Sequence, residues 1–229
     1  MNMDFSPLWI SIKTAFAATI VAFIFGIAAA RLVSGYKGKL KGLIDGLLTL
    51  PMVLPPTVVG FLLLVVLGKN SPVGKLLYSI GTQIIFSWSA TVIAASVVAF
   101  PLMYKTARGA FEQIDTNVLN AARTLGVSEW RIFWRIMVPM AWPGVAAGSV
   151  LAFARALGEF GATLMVAGNI PGKTQTIPVA IYFAVEGGEM GKAVAWVVLI
   201  FGISLVVMTM MNYWTDYLRK VLPTARTSS

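Results

Sequence analysis

Residues 14–30 read TAFAATIVAFIFGIAAA, an uncharged run preceded by Leu8 to Ile12 and a single Lys13. A helix of this length, rising about 1.5 Å per residue, crosses the hydrocarbon core of a bilayer with all its backbone N–H and C=O groups paired internally. The stretch therefore predicts a transmembrane helix. A secretory signal peptide is the alternative, with Lys13 as the positive flank and Ala28-Ala29-Ala30 as the cleavage site. The apolar run exceeds the usual signal core, however, and more such runs follow it.

Outward from this run the pattern repeats. Hydrophobic residues make up 58% of the 229 and charged residues 12%, about half the share in a soluble domain. The charges sit in short runs between long uncharged stretches, which is the layout of a protein whose solvent is lipid. A second span is predicted over Gly46 to Leu67. Pro51, Pro55 and Pro56 near its start remove backbone donors and disfavour helix in the preceding residue, so it should begin irregularly or kink. Gly68 to Lys75 is a polar connection with a Ser71-Pro72 turn signal. A third span falls between Ile84 and Tyr104, a fourth from Val138 to Ala154 or beyond, and a last from Ala193 to Tyr213 after a broken region. The expected fold is all-α: a polytopic transmembrane helical bundle of five spans, or six if Pro178 to Val185 or the N-terminal segment also inserts. One membrane domain would occupy residues 8–215, leaving 216–229 as a tail.

The chain has no Cys and no His. Disulfides, thiolate or imidazole metal sites, Cys and His nucleophiles and the commonest general base are thereby excluded, and no catalytic residue or metal ligand is expected. The formal net charge of +9 reads as the Lys/Arg excess of cytoplasmic loops rather than a nucleic-acid surface. Alternate sides of the membrane receive twelve and five Lys/Arg, with Arg155 left inside a span. The richer side holds the loop over residues 105–137 and the C-terminus, which places both in the cytoplasm and the N-terminus outside in a multi-pass membrane protein.

Within that loop Val118, Ala121, Ala122 and Leu125 fall at i, i+3, i+4 and i+7, one face of a helix. Gly126 suits a left-handed helix end, and Ser128 suits the cap of a following helix in which Trp130, Phe133, Trp134 and Met137 repeat the spacing. Arg131 and Arg135 lie one turn apart on another flank. Such a pair can lie on the inner leaflet, aromatics in the interface and arginines towards anionic headgroups. It can also dock on a partner protein.

A resemblance favours docking. The array Asn120-Ala121-Ala122, Gly126, Ile136 and Pro139 is similar in spacing to the Glu-Ala-Ala loop of bacterial ABC importer permeases, with Asn120 in place of the Glu and Val138 in place of a Leu. The resemblance implies a bacterial inner (plasma) membrane location and a cytoplasmic coupling helix pair, with Arg131 beside it, that sits in a groove of an ATPase subunit and passes nucleotide-driven motion to the spans. It further implies a homodimer of this chain, two copies of a cytoplasmic ABC ATPase that uses ATP and Mg, and a periplasmic or lipid-anchored solute-binding protein. No cofactor would bind this chain itself.

Three more segments narrow the likeness. Leu50 to Gly60, with Pro55-Pro56-Thr57; Ala154 to Thr163, with Gly158-Glu159-Phe160-Gly161-Ala162; and Asn169 to Pro178 together resemble molybdate permeases. The Gly-Glu-Phe-Gly-Ala element is shared with sulfate permeases. The resemblance implies an importer of a tetrahedral oxyanion, molybdate first and tungstate, sulfate or thiosulfate as alternatives, with Pro55, Pro56, Thr57, Arg155, Glu159 and Thr163 as candidates for the path or gate. Arg155 and Glu159, one turn apart, can equally form a structural ion pair.

Gly172-Lys173-Thr174 mimics the end of a phosphate-binding loop, but position 167 is Ala where that loop needs Gly. Energy must come from another subunit. An ion-coupled secondary transporter is the rival class, and it should carry coupling carboxylates mid-membrane, where only Glu159 qualifies. The Lys/Arg bias makes a direct prediction: a cysteine placed at Lys173 reacts with a membrane-impermeant maleimide from outside, and one at Lys105 only after the membrane is opened. The reverse pattern would invert the topology.

Overall fold

A computed structural model describes residues 4–221. Its first helix, α1 (Ser6–Gly35), is apolar all round and is sorted by size rather than polarity. Ala15, Ala18, Ala22 and Ala30 are buried, whereas Phe16, Ile20, Ile24 and Phe25 are exposed. Between apolar helices in lipid no hydrophobic force draws large side chains inward, so association rests on close backbone approach over small residues. The partner is α5 (Trp88–Glu112), which offers Ala95, Ala99 and Ala107 to the same cluster. At Gly26 an added Cβ would come within 2.8 Å of Met103 Cγ. On the other flank of α5, α8 (Val138–Leu157) packs through Gly144 and Gly148, whose added Cβ atoms would lie 2.6 Å from Ala110 Cβ and 3.0 Å from Thr106 Cβ. The small-xxx-small pair is a packing device.

The second span is broken. α2 (Lys41–Val53) and α3 (Pro56–Leu67) meet at a bend of 110°. The break falls at Leu54 and Pro55, each of which precedes a proline and is extended, with ψ of 142° and 137°. Pro51 stays inside α2. After Gly68 the chain turns into α4 (Pro72–Ser79), where Ser71 Oγ caps the helix by accepting the Gly74 N–H at 2.7 Å.

α5 continues past Tyr104 to Glu112, because a helix does not stop where its charged residues leave the hydrocarbon. α6 (Thr116–Thr124) and α7 (Glu129–Ile132) follow. The latter is not a separate amphipathic helix. It runs through a π turn (Phe133–Met137) into α8 as one 29-residue rod, Glu129–Leu157. Pro139 explains the wide turn: it has no N–H for the Arg135 carbonyl, and its ring crowds that turn, so the Val138 N–H reaches back to the Phe133 carbonyl instead.

α9 (Gly161–Ala167), α10 (Ile177–Glu186) and α11 (Met190–Val221) complete the order. Among the described residues four helices are long and apolar enough to span a bilayer, and the bent pair makes a fifth. Pro178 to Val185 lies in α10, whose ten residues are too few to cross. Its first N–H, at Ile177, donates to Ser11 Oγ at 2.7 Å and ties the segment to α1. Of the expected tail, residues 216–221 still belong to α11, and 222–229 lie outside the described residues.

The packing of α3 on α9 is close. A Cβ at Gly60 would lie 2.8 Å from Ala162 Cα, whereas one at Gly46 in α2 meets nothing within 4 Å. Gly60→Ala should therefore destabilise the folded chain by about 1–3 kcal/mol through overpacking, and Gly46→Ala should be neutral or slightly stabilising. Unfolding midpoints in a denaturing-detergent titration read the difference, and equal midpoints would contradict this contact.

Candidate functional site

Two groups of predicted residues lie in separate places. The first is the α6–α7 loop. Asp115 Oδ1 opens α6 by accepting the Asn117 N–H at 2.8 Å. Gly126 ends it with φ of 74°, its N–H donating to the Arg123 carbonyl at 2.9 Å, while the Val127 N–H reaches the Ala122 carbonyl at 3.1 Å. This pair of bonds satisfies two carbonyls of the last turn and fixes the exit direction, as the glycine predicts. Ser128 occupies the next cap position with extended backbone, but its hydroxyl makes no capping bond.

The apolar stripe read from the sequence divides between two faces. Leu119 and Ala122 are buried with Ile114 and Ile132 in the main core cluster. Val118, Ala121 and Leu125 face outward, Leu125 being 82% exposed. In the following turns Phe133 and Met137 are buried, Phe133 meeting Phe111 edge-on at 5.8 Å. Trp130 is 71% exposed and packs edge-to-face with Trp134 at 5.6 Å, and Arg131 lies in the open beside them. Ile136 is half-buried and Pro139 exposed, both next to the π turn.

A charge relay not foreseen in the sequence braces this loop. Arg123 Nε donates to Glu129 Oε1 at 2.6 Å and Arg123 Nη1 to Asn120 Oδ1 at 2.9 Å. Arg31, at the far end of α1, donates to Glu129 Oε2 at 3.2 Å. The hydrogen-bonded Glu129 carboxylate raises the Arg123 guanidinium above its ordinary pKa. Asn120 thus has a partner in the same element although it lacks a carboxylate's charge. Arg31 is 98 residues from Glu129, and no periodicity could have flagged the contact.

The second group surrounds the two breaks in the helical spans. Pro55 and Pro56 mark one, and Gly158 to Phe160, between α8 and α9, the other. They lie together, since a Cβ on Gly161 would be 3.1 Å from Thr57 Cγ2 and 3.2 Å from Pro56 Cβ. Glu159 is 2% exposed. Its Oε1 accepts the Ala162 N–H at 2.9 Å and its Oε2 lies 2.8 Å from Arg155 Nη1. A buried carboxylate is tolerable on these terms, paired with a cation and bonded to backbone. Thr163 is buried one turn further on, while Thr57 is exposed.

Residues 22–220 match the family described as binding-protein-dependent transport system inner membrane component. A Bacillus subtilis (strain 168) protein named for molybdenum transport, YvgM, is 48% identical over 205 residues, covering 89% of this chain and 90% of its own length. The molybdenum transport system permease protein ModB of Escherichia coli (strain K12) is 45% identical over 193 residues, 83% of this chain and 84% of that protein. Among solved structures, the bacterial alginate ABC transporter in complex with an alginate pentasaccharide-bound periplasmic protein aligns with a TM-score of 0.74 at 17% identity, over 96% of this chain and 80% of that one. That likeness extends to the fold alone.

Fold and site together define a polytopic, all-helical membrane protein that presents an exposed helix and turn outside its bundle. The chain belongs to the binding-protein-dependent transport system inner membrane components.

A Cβ on Gly126 would meet nothing within 4 Å, so space is not what limits substitution there. Aspartate is among the residues that tolerate a left-handed backbone best. Gly126→Asp is therefore expected to insert in the membrane at the wild-type level, yet to lose co-purification with a partner that covers the α6 face. Full retention of that partner would show that the turn takes no part in docking.

Proposed function

We propose that this chain is the translocating subunit of an ATP-driven importer of molybdate across the inner membrane. It works as a homodimer with two copies of a cytoplasmic ABC ATPase, and a periplasmic or lipid-anchored binding protein supplies the anion. One observation carries the reading: Val118 and Ala121 on α6 and Leu125 just past its end stand exposed, while Leu119 and Ala122 on the adjoining strip of the same helix are fixed in the core. A helix anchored in the core along one strip, with apolar side chains left exposed beside polar ones on the next, suits a partner surface. The relatives named for molybdenum transport support the choice of substrate, at identities of 48% and 45% over most of both chains.

In this account the ATPase grips α6 and the turn at Gly126, with Asn120, Ala121, Ala122, Arg131, Ile136 and Pro139 forming or shaping the contact. Small residues on α6 permit close approach, and the Arg31–Glu129–Arg123 relay carries a displacement of the loop to α1 as well as to the α7–α8 rod. The loop and the C-terminus face the cytoplasm, a reading that the Lys/Arg bias supports. The anion passes near the paired breaks at Pro55-Pro56-Thr57 and Arg155-Glu159-Thr163. The Arg155–Glu159 pair is neutral as a whole, so it presents an oxyanion with oriented dipoles rather than a trapping charge. Such a path binds weakly, and selectivity resides in the binding protein.

The test is uptake into proteoliposomes holding this chain and its ATPase. No appreciable molybdate uptake is expected without the binding protein, and uptake should appear on adding it with ATP. Excess tungstate should compete better than excess sulfate. Saturable, ATP-independent molybdate flux through the chain alone would instead establish a secondary transporter.

A further inference from the structure

The α2 helix has no fully buried residue; Ile44 and Leu48 only lean half-buried on the core. It is nonetheless held to α5 by a ladder of charges. On α2, Lys41 and Asp45 lie one turn apart, and on α5, Tyr104, Arg108 and Glu112 lie at successive turns. Lys41 Nζ donates to Glu112 Oε1 at 3.2 Å, and Arg108 Nε donates to the same oxygen at 2.9 Å. Arg108 Nη1 donates to Asp45 Oδ1, which also accepts the Tyr104 hydroxyl at 2.9 Å. Tyr104 is fully buried and stacks on Phe100 at 6.0 Å, so the ladder is rooted in the core. Asp45 is the only acidic residue between Asp4 and Glu112.

The placement of the ladder gives it consequence. Past Glu112 the α5 helix leads within three residues to the N-terminus of α6, the face assigned to the ATPase. Past its own last turn α2 leads to the Leu54–Pro55 break, and thus to the α3–α9 contact beside Arg155 and Glu159. A lone exposed ion pair contributes little, but a linked set that shares a carboxylate and a core-rooted tyrosine acts as a unit. We propose that Lys41, Asp45, Tyr104, Arg108 and Glu112 are positioning residues for transport: they make α2 and α5 one rigid strut, so that motion at the coupling loop swings α2 about Leu54–Pro55 and opens or closes the path. The inference rests on the importer reading given above.

Two measurements separate the strut from a merely structural role and from that reading. Hydrogen exchange on the purified chain requires no partner. In Arg108→Gln, amides of residues 41–53 should exchange about ten-fold faster while those of α1 and α8 keep their rates. In the reconstituted complex, the same variant should raise the ATP hydrolysed per molybdate imported by about five-fold or more. Cysteines introduced as Lys41→Cys and Glu112→Cys, joined by a short flexible bis-thiol reagent, should restore both readings in the Arg108→Gln background. Asp45→Asn, which keeps the side chain's shape and the Lys41–Glu112 contact, serves if Arg108→Gln inserts poorly and should shift both readings in the same direction. Unchanged exchange over α2 overturns the strut. So does a loss of hydrolysis and uptake in fixed ratio that the cross-link does not reverse. A wild-type complex that imports nothing refutes the importer reading instead, and exchange on the chain alone still decides whether Arg108 holds α2.

Discussion

Lipid offers no hydrogen-bonding partner, so a helix that breaks at membrane depth must have the break covered by protein. Among the described residues the spans break at Leu54–Pro55 and at Gly158 to Phe160, and the helices that follow the two breaks, α3 and α9, pack on each other. Gly161 carries no side chain where it meets Pro56 and Thr57, and Gly60 carries none where it meets Ala162. The Glu159 carboxylate satisfies the Ala162 N–H, one of the free donors at the start of α9. With the bend that the X-Pro bonds impose on the second span, this contact leaves the Glu159 carboxylate buried against a partly exposed Arg155.

Sorting by size extends the same logic. Alanine and glycine line much of the α1–α5 and α5–α8 contacts, close round a few large side chains such as Met103 and Tyr104, and many larger apolar side chains of α1 are left outside. Most of those outer residues lie on spanning helices where lipid can cover them. Val118 and Leu125 do not, since α6 is short, polar overall and outside the spans. Their exposure is what the proposed docking role of α6 rests on.

Much of this architecture was legible in the sequence because it obeys strong local rules. The uncharged runs gave five spans, consecutive X-Pro bonds gave the break, and Gly126 gave the left-handed turn. The α6 stripe of Val118, Ala121, Ala122 and Leu125 was legible as a pattern, but periodicity detects apolar residues on a helix without saying what will cover them: the core took Ala122 together with Leu119 and left the other three exposed. The join of α7 to α8 was also hidden, since charges at Arg131 and Arg135 look like a boundary although the backbone continues through a π turn. The ladder of Lys41, Asp45, Arg108 and Glu112 shows one-turn spacing on each helix, but pairing two such ladders across 63 residues requires the fold. Which residues line the path has no local signature at all.

The claim that orders these observations is that the outer face of α6 is covered by the ATPase. Leu125→Cys in this naturally cysteine-free chain tests it most directly, by the rate of maleimide labelling in the isolated chain and in the complex co-purified with its ATPase. Rapid labelling of the isolated chain and strong protection in the complex are the predicted results. Equal labelling in both would mean that the ATPase sits elsewhere and that α6 is not the coupling element.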